Sequence, residues 1–239
     1  MGQNLVDLPN ELLLGRRQHG FFEDFQHFVT GDRFTDTSAD TGAAVAMTDA
    51  AGGGVTLTTG ATDNNECYLL STKEVFLIAD GKPIIFEARV KYTEANTDDA
   101  NVALGLMNAV AADSILDDGA GPAASYSGAT LFKVDGGTTW NAESSLSTTQ
   151  TTTALTAVNS LDRLAKTPGG GSWQTVRIEI VPFSSTEADV NFFIDGVHVA
   201  KHALTYTSAT EMMAFVGVKA GGANSEVVSV DYVSAYQVR

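Results

Sequence analysis

Alternation of apolar and polar residues is the dominant signal along this chain. In residues 83–93 (PIIFEARVKYT), Ile84, Phe86, Ala88, Val90 and Tyr92 face one way while Glu87, Arg89 and Lys91 face the other, the two-residue period of a strand with one buried face. Residues 173–182 (WQTVRIEIVP) repeat it, with Val176, Ile178 and Ile180 inward against Arg177 and Glu179, and Pro182 ends the run because it has no N–H for a ladder. Segments 190–194 and 197–204 flank Asp195-Gly196, a pair that tolerates the positive φ angles of a type I′ turn, so a hairpin is predicted there. In the closing segment 227–238, Val228, Val230, Tyr232, Tyr236 and Val238 alternate with Ser229, Asp231 and Gln237, which predicts one continuous apolar row against the core.

Further strands are predicted at 54–59, 68–78, 101–108, 129–134, 139–146, 151–158 and 213–220, separated by clusters such as GATDNNE, DDGAGPAAS, KTPGGGS and KAGGANS that carry turn chemistry. So many strands with almost no helical period predict an all-β fold, a two-sheet antiparallel jelly-roll sandwich, with no composition break and no internal repeat to mark a second folded domain. Residues 1–20 differ. Leu5, Leu8, Leu12 and Leu13 share a helical face, Pro9 suits a first helical position and Gly15 a stop, so this arm is expected to hold a short helix over 9–14. One such turn is unstable alone. Its leucines must dock on the body of the same chain, at 21–239, or on a neighbouring subunit, and Arg16 and Arg17 form a doubled basic site beside them.

Composition narrows the functional classes. The chain has 239 residues, long enough to bury an ample core, and its 29 acidic against 14 basic residues give a formal charge of −15. That charge opposes binding to nucleic-acid phosphates or anionic membranes, so neither is expected as a partner. Cys67 is the single cysteine, without a disulfide partner or a zinc motif. The first residues lack a basic and then apolar leader pattern, and no run of about 18 apolar residues occurs, which predicts a soluble protein made in a cytoplasm.

The order WQTVRIEI, VNFFIDGVHVA, MAFVGVKAG, VVSVDYVSAY, preceded by FEARVKY and VALGLMNA, resembles the concanavalin A-like or laminin-G-like jelly roll across residues 21–239. Its motifs are core positions and turns, and the fold hosts lectins, glycosidases, adhesins and virion proteins alike. The acidic, Gly/Thr/Ala-rich style and the short arm resemble virion components of tailed bacteriophages. This resemblance implies a non-enzymatic capsid decoration or cement protein on the virion surface, synthesised in the host cytoplasm. Leu5, Leu8, Leu12, Leu13, Arg16 and Arg17 would be its partner-binding residues, set against a major capsid protein or sister copies in a homo-oligomer, for which a trimer is a common solution. The alternative is a carbohydrate-binding module or adhesin on the same fold.

Glycosidases of the resembled superfamily carry E-x-D-x-x-E on one strand, holding two carboxyl groups about 5–5.5 Å apart, and no such run is present. Glu87 and Glu179 sit beside Arg89 and Arg177 on outward faces, where ion pairing is the ordinary role, so no catalytic residue is assigned. His198 and His202 are four apart, about 13 Å along a strand at ~3.3 Å per residue, and are expected at the surface. His19 and His27 have no ligand partner at metal spacing. Oxygen-rich loops, Asn96, Asp98, Asp99 and Asn101 in one and Asp117 and Asp118 in the other, offer calcium-type donors without a calcium motif, so no metal or other cofactor is assigned. For a glycan, Tyr126 and Trp140 are the aromatics nominated to stack on a sugar, packing in the sandwich being their alternative role, while Trp173 is expected in the core.

Overall fold

The alternation is realised in a computed structural model that describes residues 17–37, 40–49, 51–96, 98–156, 171–207 and 210–239. In chain order the strands are β1 (Gln18–Glu23), β2 (Phe34–Thr37), β3 (Ala44–Met47), β4 (Val55–Thr58) and β5 (Glu66–Ser71). Then come β6 (Ile84–Thr93), β7 (Ala100–Met107), β8 (Tyr126–Lys133), β9 (Asn141–Ser147) and β10 (Thr149–Ala154). The chain closes with β11 (Gln174–Pro182), β12 (Glu187–Ile194), β13 (Val197–Thr205), β14 (Met213–Ala220) and β15 (Val227–Val238). All pairings are antiparallel. One sheet has eight strands, ordered β13-β12-β11-β6-β15-β4-β3, with β1 also on β15, and the other has seven, ordered β10-β9-β8-β7-β14-β5-β2. Asp117–Gly119 forms a 3₁₀ turn.

The inward residues read from the alternation meet between the sheets. Phe86, Val90, Ile178, Ile180, Val190 and Phe192 from the larger sheet pack on Leu104, Leu106, Leu131, Val216 and Val218 from the smaller one, all buried. Each such side chain contributes about 1.5–3 kcal/mol on leaving water. Asp195 and Gly196 have φ angles of 51° and 77°, the left-handed pair that a type I′ turn between β12 and β13 requires.

Four features depart from the alternation. β15 carries a bulge between Val230 and Tyr232, an extra residue that shifts side-chain parity by one. Val228 and Val230 therefore point inward before it and Val233 and Ala235 after it, so Tyr232 and Tyr236 lie half-buried on the outside, Gln237 is buried and Val238 is exposed. The apolar row is broken there rather than continuous. Strand β5 stops at Ser71, and the chain rejoins the sheet only through a bridge from Phe76 to Met212. Three short strands, β1 to β3, escape the pattern, and β1 places Gln18–Gly20 in the sheet, within the segment read as arm. Finally, β7, β8 and β14 are buried along their whole length on both faces, because residues 108–125 cross the outer face of their sheet as a strap.

Candidate functional site

The face beneath the strap is built from three rungs. Register aligns Glu143, Thr130, Gly105, Phe215 and Leu70 in one rung and Phe132, Ala103, Gly217 and Tyr68 in the next. The third sets Asn101, Lys219 and Glu66 side by side. Tyr68, Leu70, Met107, Tyr126, Phe132 and Phe215 form a second apolar cluster here, closed by Ile115 of the strap. Gly217 is required by close approach: a methyl group there would collide with the Tyr68 ring. Tyr68 Oη donates to Glu66 Oε2 at 2.7 Å and accepts from Ile115 N at 2.9 Å, while Asp113 N donates to both Glu66 oxygens. Lys219 Nζ, itself buried, reaches Asp113 Oδ1 at 2.8 Å, Asp117 Oδ1 at 2.5 Å, Ile115 O at 2.9 Å and Glu66 Oε2 at 3.3 Å. Burial alone would depress this ammonium, but its bonds to Asp113 and Asp117 and the charge of Glu66 outweigh that and raise its pKa above the ordinary lysine value. The lysine thus rivets the strap to the sheet.

At the other end of the face, Glu143 accepts from Thr152 Oγ1 at 2.5 Å, Tyr126 Oη at 3.0 Å and Gln150 Nε2 at 3.3 Å, and Gln150 also donates to Ala123 O of the strap. Burial raises the Glu143 carboxyl, with the bonds from Thr152 and Tyr126 pulling the other way. Its contacts are hydroxyls and an amide, so it stands as a satisfied buried acid without a second carboxylate at hand.

Tyr126 and Trp140, nominated to stack on a sugar, are both buried. Tyr126 lies under the strap with its hydroxyl on Glu143, and Trp140 sits in the main core with Nε1 donating to Gln174 Oε1 at 3.0 Å. Neither can present a ring to a ligand. His202 is buried too, not at the surface: its ring nitrogens lie 3.0 Å from the hydroxyls of Ser144 and Thr153, and burial lowers its pKa. Val199 is an extra residue opposite Phe192 and Phe193, and this bulge puts His198 against outer Phe193 and His202 against inner Phe192. Both oxygen-rich loops hold a lysine ammonium. Lys133 Nζ binds Glu94 Oε1 at 2.5 Å and the carbonyls of Asp98 and Ala100 at 2.8 Å, while Asp117 binds Lys219. Among the described residues no group of three or more His, Cys, Asp or Glu is placed to hold a metal. Leu5, Leu8, Leu12, Leu13 and Arg16 lie outside the described residues, as does the helix over 9–14; Arg17 is exposed, its carbonyl accepting from Arg239 N at 2.8 Å.

The outer face of the eight-stranded sheet carries the aromatics that do meet solvent. Trp173, expected in the core, is 37 % exposed, with the Arg89 guanidinium 4.8 Å and the Lys91 ammonium 5.0 Å from its ring centroid. Arg89 pairs with Asp231 at 2.6 Å, and beside it in register stands Tyr232, whose hydroxyl donates to Glu87 at 2.7 Å. Burial, with Glu87 adding to it, pushes the Tyr232 phenol up to about 12. Exposed Phe22 stacks on Tyr232 at 5.3 Å, completing a line of aromatic and charged groups from β11 to β1. Farther along, Arg177 lies over Phe193 at 4.3 Å and pairs with Glu179 at 3.1 Å, the role its neighbour spacing predicts, whereas Glu87 serves Tyr232. Parity could have found Trp173: Val176, Ile178 and Ile180 point inward, so odd position 173 points out.

No protein-family profile and no curated protein matches the sequence. Among solved structures the chain is similar to an endo-β-1,4-glucuronan lyase from the fungus Trichoderma reesei, at 12 % identity and a TM-score of 0.59 over 90 % of this chain and 94 % of that one. The carbohydrate recognition domain of Emp47p gives 11 % identity and 0.58 over 94 % and 96 %, and a legume lectin-like domain from Entamoeba histolytica gives 7 % and 0.56 over 85 % and 89 %. At these identities the likeness is one of fold: the chain is an all-β sandwich of the concanavalin and legume-lectin jelly-roll type.

Proposed function

We propose that this chain is a non-catalytic carbohydrate-binding domain whose sugar-stacking surface is the aromatic line on the eight-stranded sheet. The observation that carries the reading is Trp173, held in place by two cations yet open to solvent, next to hydrogen-bonding groups on Asp231, Glu87 and Tyr232. A ring already fixed in orientation loses little freedom when a sugar packs on it, and the polar neighbours supply the contacts that discriminate hydroxyl patterns. The lectin domains that share the fold support it. The non-catalytic part rests on Glu143 and Glu66, whose oxygens are taken up by hydroxyl, amide and ammonium partners under the strap. For capsid decoration, Arg17 is the only anchor residue described, and no structure named above is a virion component.

The test is a glycan array followed by titration calorimetry on the best ligand. Trp173→Ala is expected to weaken binding at least tenfold with an unchanged melt, and neither reducing ends nor unsaturated products should accumulate above a buffer blank. A chain that binds no glycan, or one whose affinity ignores Trp173→Ala, refutes the reading.

A further inference from the structure

On the outer face of the eight-stranded sheet, Arg89 pairs with Asp231 at 2.6 Å, Arg177 with Glu179 at 3.1 Å and Lys201 with Asp189 at 2.8 Å. Lys91 differs. Among the described residues its ammonium forms no ion pair, although the chain carries 29 acidic against 14 basic residues, and its contact is the Trp173 ring, 5.0 Å to the centroid. Attraction to the electron-rich ring holds the ammonium in place without neutralising it. In so acidic a chain, a placed cation with no carboxylate of its own is free to take one from a ligand.

Register fixes what stands around it. Ser229 lies beside Lys91 and Thr56 beside Ser229, while Gln174, opposite Val90, brings Trp173 to the other flank of Lys91. An indole, an ammonium and two hydroxyls therefore run in one row, about 5 Å from strand to strand. Beyond the row stand Arg89 and Tyr232, and the acids there are engaged, Asp231 with the guanidinium and Glu87 with the phenol. A pyranose packed on an indole projects its C5 substituent beyond the edge of the ring, toward whatever cation flanks it.

We propose that the glycan taken by this surface is an acidic one carrying isolated uronate carboxylates, the sugar ring on Trp173 and the carboxylate on Lys91, which rests on the carbohydrate-binding reading above. Charge sets the density of the ligand. The formal charge of −15, with Asp231 and Glu87 close by, repels a densely sulfated chain. Screening beyond about 8 Å at physiological ionic strength removes most of that penalty for a single carboxylate seated directly on an ammonium.

Titration calorimetry on the full-length chain tests it, with oligomers of galacturonate, mannuronate and glucuronate, each beside its methyl ester, which masks the charge and keeps the linkage. The best acid form should bind at least about tenfold more tightly than its ester, the worth of a charge-assisted hydrogen bond. Lys91→Gln should bring the acid down to the affinity of the ester and leave the ester unchanged, while Lys91→Arg keeps the preference. Acid forms that bind no better than their esters or than neutral glycans overturn the uronate assignment, as does a Lys91→Gln loss that falls equally on acid and ester, the mark of a lysine that only steadies the ring. A heparin-type sulfated chain that binds more tightly than every uronate overturns it too. In each of these cases the carbohydrate-binding reading still stands if Trp173→Ala abolishes the binding seen. Absence of binding to every acidic, esterified and neutral sugar overturns both.

Discussion

Replacing Lys219 with methionine isolates the rivet that holds the strap to the seven-stranded sheet. The lysine side chain is 1 % exposed and the Glu66 side chain 11 %, whereas those of Asp113 and Asp117 are more than half exposed. Once the ammonium is gone, water solvates both aspartates, so each of those contacts is worth at most about 1 kcal/mol. Glu66 has no such recourse. Removing one partner of a buried pair costs about 3–5 kcal/mol, and because Glu66 keeps the Tyr68 hydroxyl and the Asp113 amide, the low end, about 3 kcal/mol, is expected. Methionine preserves most of the volume, so packing loss adds little. In urea unfolding this moves the midpoint down by about 1 M at a slope of about 3 kcal/mol/M, with the slope itself unchanged. Adding Glu66→Gln to the methionine variant should recover part of the loss, since the stranded charge is removed, and a double-mutant cycle measures that coupling. A midpoint that stays put, or two substitutions whose effects simply add, would refute the account of the strap as ionically fastened.

Tryptophan emission separates the two indoles: Trp173→Phe should leave a blue-shifted spectrum resistant to iodide, and Trp140→Phe a red-shifted, quenchable one. Truncating buried Trp140 to alanine should cost about 3–5 kcal/mol by chemical denaturation. His202 has its folded pKa depressed by burial, so the unfolded chain takes up the proton first. Its contribution is present above the unfolded value near 6.5 and is lost as pH falls below it; His202→Gln should flatten that slope between pH 7.5 and 5.5 in urea midpoints. Glu226 is buried with an unpartnered Oε1 and a carboxyl raised by burial, so its contribution is full below the ordinary glutamate value and fades as pH rises through the folded one. Glu226→Gln should therefore raise stability at pH 7.5 more than at pH 4.5.

Most of the sandwich was legible because its strands have one wet face. In β6 and β11, charged residues at every second position report the inside directly, and the Asp-Gly pair reports the hairpin. Strands β7, β8 and β14 lack that signal, since the strap makes their outer face a second interior, and nothing in DDGAGPAAS says that the segment will lie across a sheet. Tyr126 was misplaced for this reason: its loop composition is that of the surface, while its contacts are those of a core. His202 and Tyr232 were misplaced for another. Each follows a bulge, and alternation carries no mark of an inserted residue until the partner strand is known. The buried lysines Lys133 and Lys219 were invisible for want of their partners, which lie 33 or more positions away in loops and at strand ends.

The bulge at Asp231 acts as a phase setting for the surface. Strand β15 serves β4 with its first half and β1 with its second, and only the extra residue lets both halves turn an apolar side inward. The second half supplies Tyr232 to the aromatic line, and its Gln237 and Val238 line a surface hollow beside β1 together with His19, Val75 and Leu77. Pairing the same residues in unbroken register, with Asp231 taken into the ladder, would rotate Tyr232 and Tyr236 toward the core and Val233 and Ala235 toward water in a single step. Two surface features that share no contact therefore share an origin in register, and a lineage could vary the composition of either freely while the spacing between them stayed locked.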